Sequence, residues 1–369
     1  MKRSNDVLIL GGGPAGATLG TLLAREGRAV EILEKTTGPH DKVCGEFLSH
    51  EAVHYLLALG IEPARLGAAP VSRLRLAGQD LIRECPLPFT GISLRRRALD
   101  EALLDHARAA GAMVARGVRV ELLQREGFGW VAHLANGERR SAATVFLATG
   151  KHDLHGWARP PGGQSDLVAF KMYFRLALGG DAARLARVEI ILFPGGYAGL
   201  LFFPDGTMNV CLLIQRSVLR RCGGQWTNLV QLLQRSSPYL AQYLADAEAL
   251  LTKPLALSSI PYGYVCPGAP DGLWRLGDQA AVIPSFSGDG ISIALHSAYI
   301  AAENYLAGKC ADDFQQQLCR QVERPVRTAT TISRLMIQAP ALSASIRLWP
   351  QILGGISRRT RISQADLRV

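Results

Sequence analysis

The sequence predicts an α/β protein in which a Rossmann-like dinucleotide-binding domain is interleaved with a β-sheet substrate domain and followed by a helical C-terminal tail. Three observations carry this. Gly11-Gly12-Gly13-Pro14-Ala15-Gly16 follows an apolar run and opens a small-residue helix. Strand-like texture dominates residues 166–265, with α/β texture on both sides of it. The chain has 369 residues, enough for two intertwined domains of roughly 100–200 residues each.

Residues 7–10 read as a buried parallel strand, 11–16 as a turn, 17–26 as a helix stopped at Gly27, and 29–33 as the next strand, closing a β-α-β unit. A helix over 49–59 ends at Gly60, 71–76 alternates like a strand, and an amphipathic helix over 97–110 ends at Gly111. Residues 113–123 are strand-like, Asn136-Gly137 marks a turn after 131–134, and 144–148 is another buried strand. The β-rich runs are 168–178, 188–193, 198–203 and 208–214, with Asp205-Gly206 as a hairpin signal. Residues 229–251 read as one helix and 291–306 as a long one, and the tail from Asp312 is mainly helical.

Charge and cysteines narrow the function classes. Lys+Arg 41 against Asp+Glu 31 gives +10. The basic residues are scattered arginines with no lysine-rich run or zinc-finger spacing, which favours a phosphate-bearing cofactor over nucleic acid. Seven cysteines, odd in number and without a CxxC pair, read as reduced thiols of a cytoplasmic protein. Residues 7–24 carry no charge, but three glycines and Pro14 in their middle would break a spanning helix, so a soluble protein is expected.

The glycine motif gains weight from its context. Its glycines permit a tight turn and close backbone approach, and the helix that follows offers free N–H groups to a pyrophosphate. Glu34, eighteen positions after Gly16, stands where an acidic residue accepts from ribose hydroxyls.

Together with Arg96-Arg97-Ala98-Leu99-Asp100, Gly277-Asp278, Pro284 and Gly288-Asp289-Gly290, these motifs resemble the FAD-dependent p-hydroxybenzoate hydroxylase-like superfamily. Lys42-Val43-Cys44-Gly45 and the length are similar to the geranylgeranyl reductase-like branch of NAD(P)/FAD-dependent oxidoreductases. The motifs span residues 7–306. The resemblance implies a GR2-type FAD-binding domain from 1–70, 96–165 and 266–308, a substrate domain from 71–95 and 166–265, and a helical segment over 309–369. It places Gly11, Gly13, Pro14, Ala15, Gly16, Glu34, Lys35, Cys44, Gly45 and Gly150 on FAD. Arg96 would contact the pyrophosphate or the ribityl side, and Asp278 the ribityl hydroxyls. Pro284, Gly288 and Gly290 would line the isoalloxazine, with the helix from Ile291 aiming its positive end at the pyrimidine. Cys44 and Glu46 are the candidate catalytic residues, the thiol as flavin tuner or proton donor and the carboxyl as acid or base.

Two departures shape the expected reaction. Ala148-Thr149-Gly150-Lys151-His152 stands where hydroxylases of the superfamily carry an Asp-Gly motif, which argues against direct NAD(P)H reduction in their manner. No Gly-Trp-x-Trp-x-Ile-Pro segment is present, so halogenation is a minor alternative. The first expectation is a monooxygenase that uses O2 through a flavin hydroperoxide, acting on a small apolar or aromatic molecule such as a polyketide, phenolic lipid or isoprenoid. The alternative is a C=C reductase or dehydrogenase of the geranylgeranyl reductase type, and a non-catalytic flavin-binding redox sensor is a lesser one. NAD(P)H or a partner reductase would supply electrons.

The remaining features are read against plainer meanings. Phe170, Tyr173, Phe193, Tyr197, Phe202 and Phe203, with Gly195-Gly196 and Gly199, are expected to form a substrate wall. Residues 335–356 interleave apolar side chains with Arg347 and Trp349 before the basic Arg358-Arg359-Thr360-Arg361. This tail is a packed terminal helix or a peripheral membrane or lipid contact. His50-Glu51-Ala52-Val53-His54 matches H-E-x-x-H but has no third ligand in context, and a solvated helix face with no metal is expected. Lys151, His152 and His155 form a solvated loop or approach a phosphate.

Overall fold

The computed structural model describes residues 5–78, 81–176, 182–338 and 360–368. The chain opens with β1 (Asn5–Leu10), α1 (Pro14–Arg25), β2 (Val30–Glu34), β3 (Phe47–Leu48) and α2 (His50–Leu59). The antiparallel pair β4 (Ala69–Gly78) and β5 (Leu81–Ser93) leads to α3 (Arg96–Ala109). Then come β6 (Met113–Arg116), β7 (Val120–Glu126), β8 (Gly129–Leu134) and β9 (Arg139–Leu147). β10 (Leu167–Arg175), α4 (Ala182–Leu185), β11 (Arg187–Phe193), β12 (Gly196–Phe202) and β13 (Thr207–Gln215) follow. Next are α5 (Arg216–Arg221), α6 (Trp226–Ser236) and α7 (Pro238–Leu244). After the short strands β14 (Glu248–Ala249), β15 (Leu255–Ser258) and β16 (Trp274–Arg275), α8 (Gly290–Leu306) and α9 (Ala311–Gln338) complete the set.

Two sheets result. The first has the order β6-β2-β1-β9-β8-β7, with β16 beside β9. Its strands around β1 run parallel, and Val7, Leu8 and Ile9 are fully buried, as expected of a strand covered on both faces. The second has the order β14-β10-β13-β12-β11-β4-β5-β3, with β15 beside β10, and is antiparallel except where β11 meets β4. Its side chains alternate between two cores. One face packs Leu76, Ile190, Leu213 and Tyr197 with Ile332 and Met336 of α9. The other packs Phe170, Phe193 and Phe202 with Leu229, Leu233 and Leu240 of α6 and α7.

Several boundaries differ from the sequence reading for local reasons. α1 begins at Pro14, inside the expected turn, because a proline at the first helical position loses no needed N–H. Residues 113–123 split at Gly117, whose φ is +70°. Residues 229–251 break at Pro238, where Ser237 caps the new helix by accepting from the Leu240 amide at 3.2 Å. In the tail, α9 ends at Gln338 and residues 360–368 form a turn and a short 3-10 segment. The expected amphipathic stretch lies almost entirely in 339–359, outside the described residues. α9 bridges both layers: Phe314, Leu318 and Val322 sit in the core around α1 and α8, Ile332 and Met336 in the core of the second sheet. Among the described residues no helix is long and apolar enough to cross a membrane.

Candidate cofactor and substrate site

The glycine turn after β1 is shaped by backbone clearance. Gly11 has φ +111°, and a Cβ there would stand 2.4 Å from the Ala148 carbonyl oxygen; at Gly16 it would meet the Gly11 carbonyl at 2.0 Å. The Gly12 amide donates to Glu34 Oε2 at 2.8 Å, while the Thr36 amide and hydroxyl donate to Oε1 at 2.9 and 2.8 Å. Burial pushes the Glu34 carboxyl up, but Lys42 and these donors outweigh it and hold it below the usual range. α1 has Gly13 as its N-cap and no side-chain acceptor for its first amides, which leaves those of Ala15 and Gly16 available to an anion. Lys42, absent from the expected site, holds Asp100 at 2.8 Å and lies 4.0 Å from a Cβ built at Gly13. Lys35 is exposed at the end of β2.

Arg96, expected on the pyrophosphate or ribityl chain, is paired with Asp100. Its Nε and Nη2 fork the Asp100 carboxylate at 2.9 and 3.0 Å. Burial pushes Asp100 up, yet Arg96 and Lys42 prevail and its pKa is lowered. Cys44 is half-buried beside Arg96, its Sγ accepting from the Glu46 amide at 3.4 Å.

Glu46 adopts φ +63°, a left-handed conformation rare outside glycine. Its carboxylate is enclosed. Lys171 Nζ stands at 2.9 Å, both side chains fully buried. The Tyr173 hydroxyl donates at 2.7 Å, the Arg96 amide at 2.8 Å and Asn209 Nδ2 at 3.3 Å. Asn209 Nδ2 also donates to the carbonyls of Cys44 and Gly45, each at 3.0 Å. The loop 44–46 is thus pinned to β10 and β13 by residues more than a hundred positions away. Burial and the Glu46 carboxylate push the Tyr173 hydroxyl well up.

The opposite side is built from the segment after β9 and the approach to α8. Gly150, φ +64°, faces Asp278: a Cβ there would lie 3.9 Å from Asp278 Oδ2. Arg159 Nη1 donates to the Asp278 carbonyl at 2.6 Å and Nη2 to the Lys151 carbonyl at 2.9 Å. Gln279 Nε2 donates to the carbonyls of Gly150 and His152 at 2.7 and 3.1 Å. The Asp278 carboxylate itself has no hydrogen bond among the described residues. Lys151 Nζ donates to the Val43 carbonyl at 3.3 Å. Its burial lowers the ammonium, but Tyr262, Asp278 and Cys44 together raise it above the ordinary lysine value.

Pro284 starts a short 3-10 turn ending at Gly288, where φ is +74° and a Cβ would stand 2.5 Å from the Phe47 ring. α8 begins at Gly290, its N-cap Asp289 making no side-chain cap, with Ile291 buried behind it. Burial pushes Asp289 up to about 7, against Arg361 and with Glu51. Arg361 comes from the far end of the chain. Its Nη1 donates to Glu51 Oε2 at 2.8 Å and Asp289 Oδ1 at 3.0 Å, and its guanidinium lies 3.7 Å over the Phe89 ring.

Between these sides lies an apolar cavity of about 110 Å³, lined by Gly45, Phe47, Leu74, Leu76, Val188, Ile190, Tyr197, Gly199, Phe286, Gly288, Ile332, Met336 and Arg361 among others. Gly45 lines it; Cys44 and Glu46 do not. The expected aromatic wall is largely elsewhere. Of its six rings only Tyr197 reaches the cavity. Phe170, Phe193 and Phe202 point to the other face of the sheet, and Tyr173 and Phe203 pack with Val71 and Leu201. Gly195 and Gly196 serve packing instead, against Val218 and the Leu213 carbonyl. In the H-E-x-x-H segment His50 lies 5.1 Å from Phe89, Glu51 binds Arg361 and His54 is exposed. No group of three or more His, Cys, Asp or Glu side chains is placed to hold a metal among the described residues.

These residues fit an extended dinucleotide. A Cβ at Gly45 or Gly290 would meet no protein atom within 4 Å, and at Gly13 only Lys42. Protein packing therefore does not demand glycine at these three positions, whereas a ligand lying against the backbone does. The uncapped starts of α1 and α8 and the cavity beside the latter leave room for such a ligand.

The family model described as the FAD binding domain matches residues 4–146. The chain is an FAD-dependent oxidoreductase whose N-terminal part carries this FAD binding domain. It is 26% identical over 332 residues to the menaquinone reductase of Mycolicibacterium smegmatis, covering 85% of this chain and 79% of that one. It is 23% identical over 394 residues to Protein FixC of Escherichia coli K12, covering 96% and 89%. Among solved structures, the flavin-dependent brominase Bmp2 superposes with TM-score 0.80 at 16% identity, covering 97% and 93% of the chains. The chondrochloren halogenase CndH does so with TM-score 0.77 at 20% identity, covering 99% and 95%. At these identities the structures share the fold.

Proposed function

We propose that the chain reduces a carbon–carbon double bond of an apolar, isoprenoid-type substrate held in the cavity between Gly45 and Gly288. The observation that carries this reading is the cavity itself, whose walls are mainly aliphatic and which opens on the two glycines beside the flavin end of the site. The relatives named menaquinone reductase support a substrate with an isoprenoid chain. Bound FAD supplies two-electron transfer.

The chain's own residues bind, orient and exclude water. The α1 amides of Ala15 and Gly16, the turn at Gly11 and Gly13, and Pro14 at the first helical position receive the pyrophosphate, with Lys42 and the exposed Lys35 adding positive charge. Glu34 orients the ribose, and Asp278, across from Gly150, accepts from the ribityl hydroxyls. Gly290 and Ile291 present the positive end of α8 to the pyrimidine, and Cys44, Gly45, Pro284 and Gly288 flank the ring. Arg96 acts by fixing Asp100 and Cys44. Glu46 is the anchor of its loop, since its carboxylate is already engaged by four groups. The interleaved division at 71, 96, 166, 266 and 309 follows from this assignment, as does a cytoplasmic location for its seven free cysteines.

A monooxygenase is the second reading, favoured by the same enclosure, which keeps water from the reacting ring. Product analysis decides between them. The FAD-loaded protein is incubated with NADPH or NADH and a polyprenyl quinone, with and without air. A product that keeps two added hydrogens on its polyprenyl chain after the ring is reoxidised, formed without O2, supports the reductase. A product carrying one added oxygen, formed only in air, overturns it in favour of the monooxygenase.

A further inference from the structure

The exposed face of α9 carries arginines at helical spacing. Arg320, Arg324, Arg327 and Arg334 project from one stripe, continued by the exposed Thr331 and Gln338. None has an ion-pair partner among the described residues, and Arg334 also donates to the Gly163 carbonyl. Leu335, next to the stripe, is 53% exposed. The opposite face of the same helix is apolar and lines the cavity through Ile332 and Met336. The two faces meet: a surface depression formed by Glu323, Arg324, Arg327, Thr328, Thr331 and Ile332 shares Ile332 with the cavity. A depression carrying Arg324, Arg327 and one carboxylate, Glu323, therefore shares a wall residue with the apolar cavity.

We propose that the arginine stripe of α9 seats the protein on an anionic lipid surface, with Leu335 against the headgroup layer and the cavity turned toward the bilayer. Charge complementarity selects this occupant. Four guanidiniums without an ion-pair partner among the described residues attract an anionic leaflet, and a single exposed leucine supplies too little apolar area for a protein interface. An orientation of this kind would let a membrane-borne chain pass along Ile332 without crossing water. That consequence rests on the function proposed above; the surface itself does not.

The test is co-sedimentation of the full-length, FAD-loaded chain with phosphatidylcholine vesicles, with and without phosphatidylglycerol. Binding is expected only with the anionic lipid, and it falls as sodium chloride is raised. The double substitution Arg324→Gln with Arg327→Gln is expected to weaken it roughly thirtyfold, each arginine near such a surface being worth about 1 kcal/mol, while an unchanged flavin spectrum shows the fold intact. Equal binding to neutral vesicles, no binding to either, or unchanged binding by the variant overturns the proposal. So does release by inorganic phosphate beyond that of chloride at equal ionic strength, which would mark a phosphate pocket instead. Unchanged vesicle binding with slower electron delivery from an acidic protein would mark a protein interface. Turnover of detergent-dispersed substrate, measured without vesicles, reads the proposed function separately.

Discussion

The turn after β1 and the wall made by β4, β11 and β12 converge on one site but obey different rules. In the turn, clearance fixes residue identity: Gly11 and Gly16 leave no room for a methyl group. In the wall, only volume and apolarity are fixed, and Leu74, Leu76, Val188 and Ile190 could exchange among aliphatic residues at small cost. The difference teaches that the cofactor end is specified locally and rigidly, and the substrate end loosely and by assembly. The same fold can then keep its cofactor while its substrate changes.

The largest expected effect breaks the rigid end. Gly11→Ala forces an alanine to φ +111° against the Ala148 carbonyl, and the purified variant is expected to lack a flavin absorbance band even after FAD is added. Next is the loop that joins the two regions. Lys171→Met leaves the Glu46 carboxylate buried without its cation, and unfolding in urea is expected to show a loss of about 3–5 kcal/mol. Adding Glu46→Gln should recover part of it. The loose end responds differently. Val188→Phe narrows the cavity and is expected to raise KM for a polyprenyl substrate by roughly tenfold, the flavin spectrum staying unchanged.

The smallest effect concerns pH. Asp289 titrates near 7 in the folded protein against an ordinary value of 3.8. Between those values the folded state binds more protons than the unfolded one, so this group's contribution to stability declines as pH rises through the window up to about 7. Asp289→Asn removes that slope, which thermal unfolding followed across this range will show. A variant as pH-sensitive as the parent would contradict this assignment.

How much could be read in advance follows the same division. The glycine turn, the strand that ends at Glu34 and the start of α8 were legible, because each depends on a few neighbouring positions in a fixed pattern. Lys42 was in plain view within its motif, but nothing local marks which lysine will stand over Gly13. The partners of Glu46 and the reach of Arg361 to Glu51 and Asp289 are tertiary, and spacing does not encode them. The aromatic wall shows the limit most clearly. Alternation put Phe170 and Phe193 in strands, yet a period of two says only that neighbours face opposite ways. Which face meets the cavity was decided by α6 and α7 covering one side and α9 the other.

The central claim, that a double bond is reduced in the cavity beside the flavin, is tested most directly by anaerobic rapid mixing. The FAD-loaded protein is first reduced and then mixed with a polyprenyl quinol, whose ring is already reduced and leaves only the double bonds of its chain as acceptors, while the visible flavin band is followed. The band is predicted to return without O2, more slowly in Val188→Phe than in the parent. Return only after O2 is admitted, or at the same rate in both proteins, would contradict the claim.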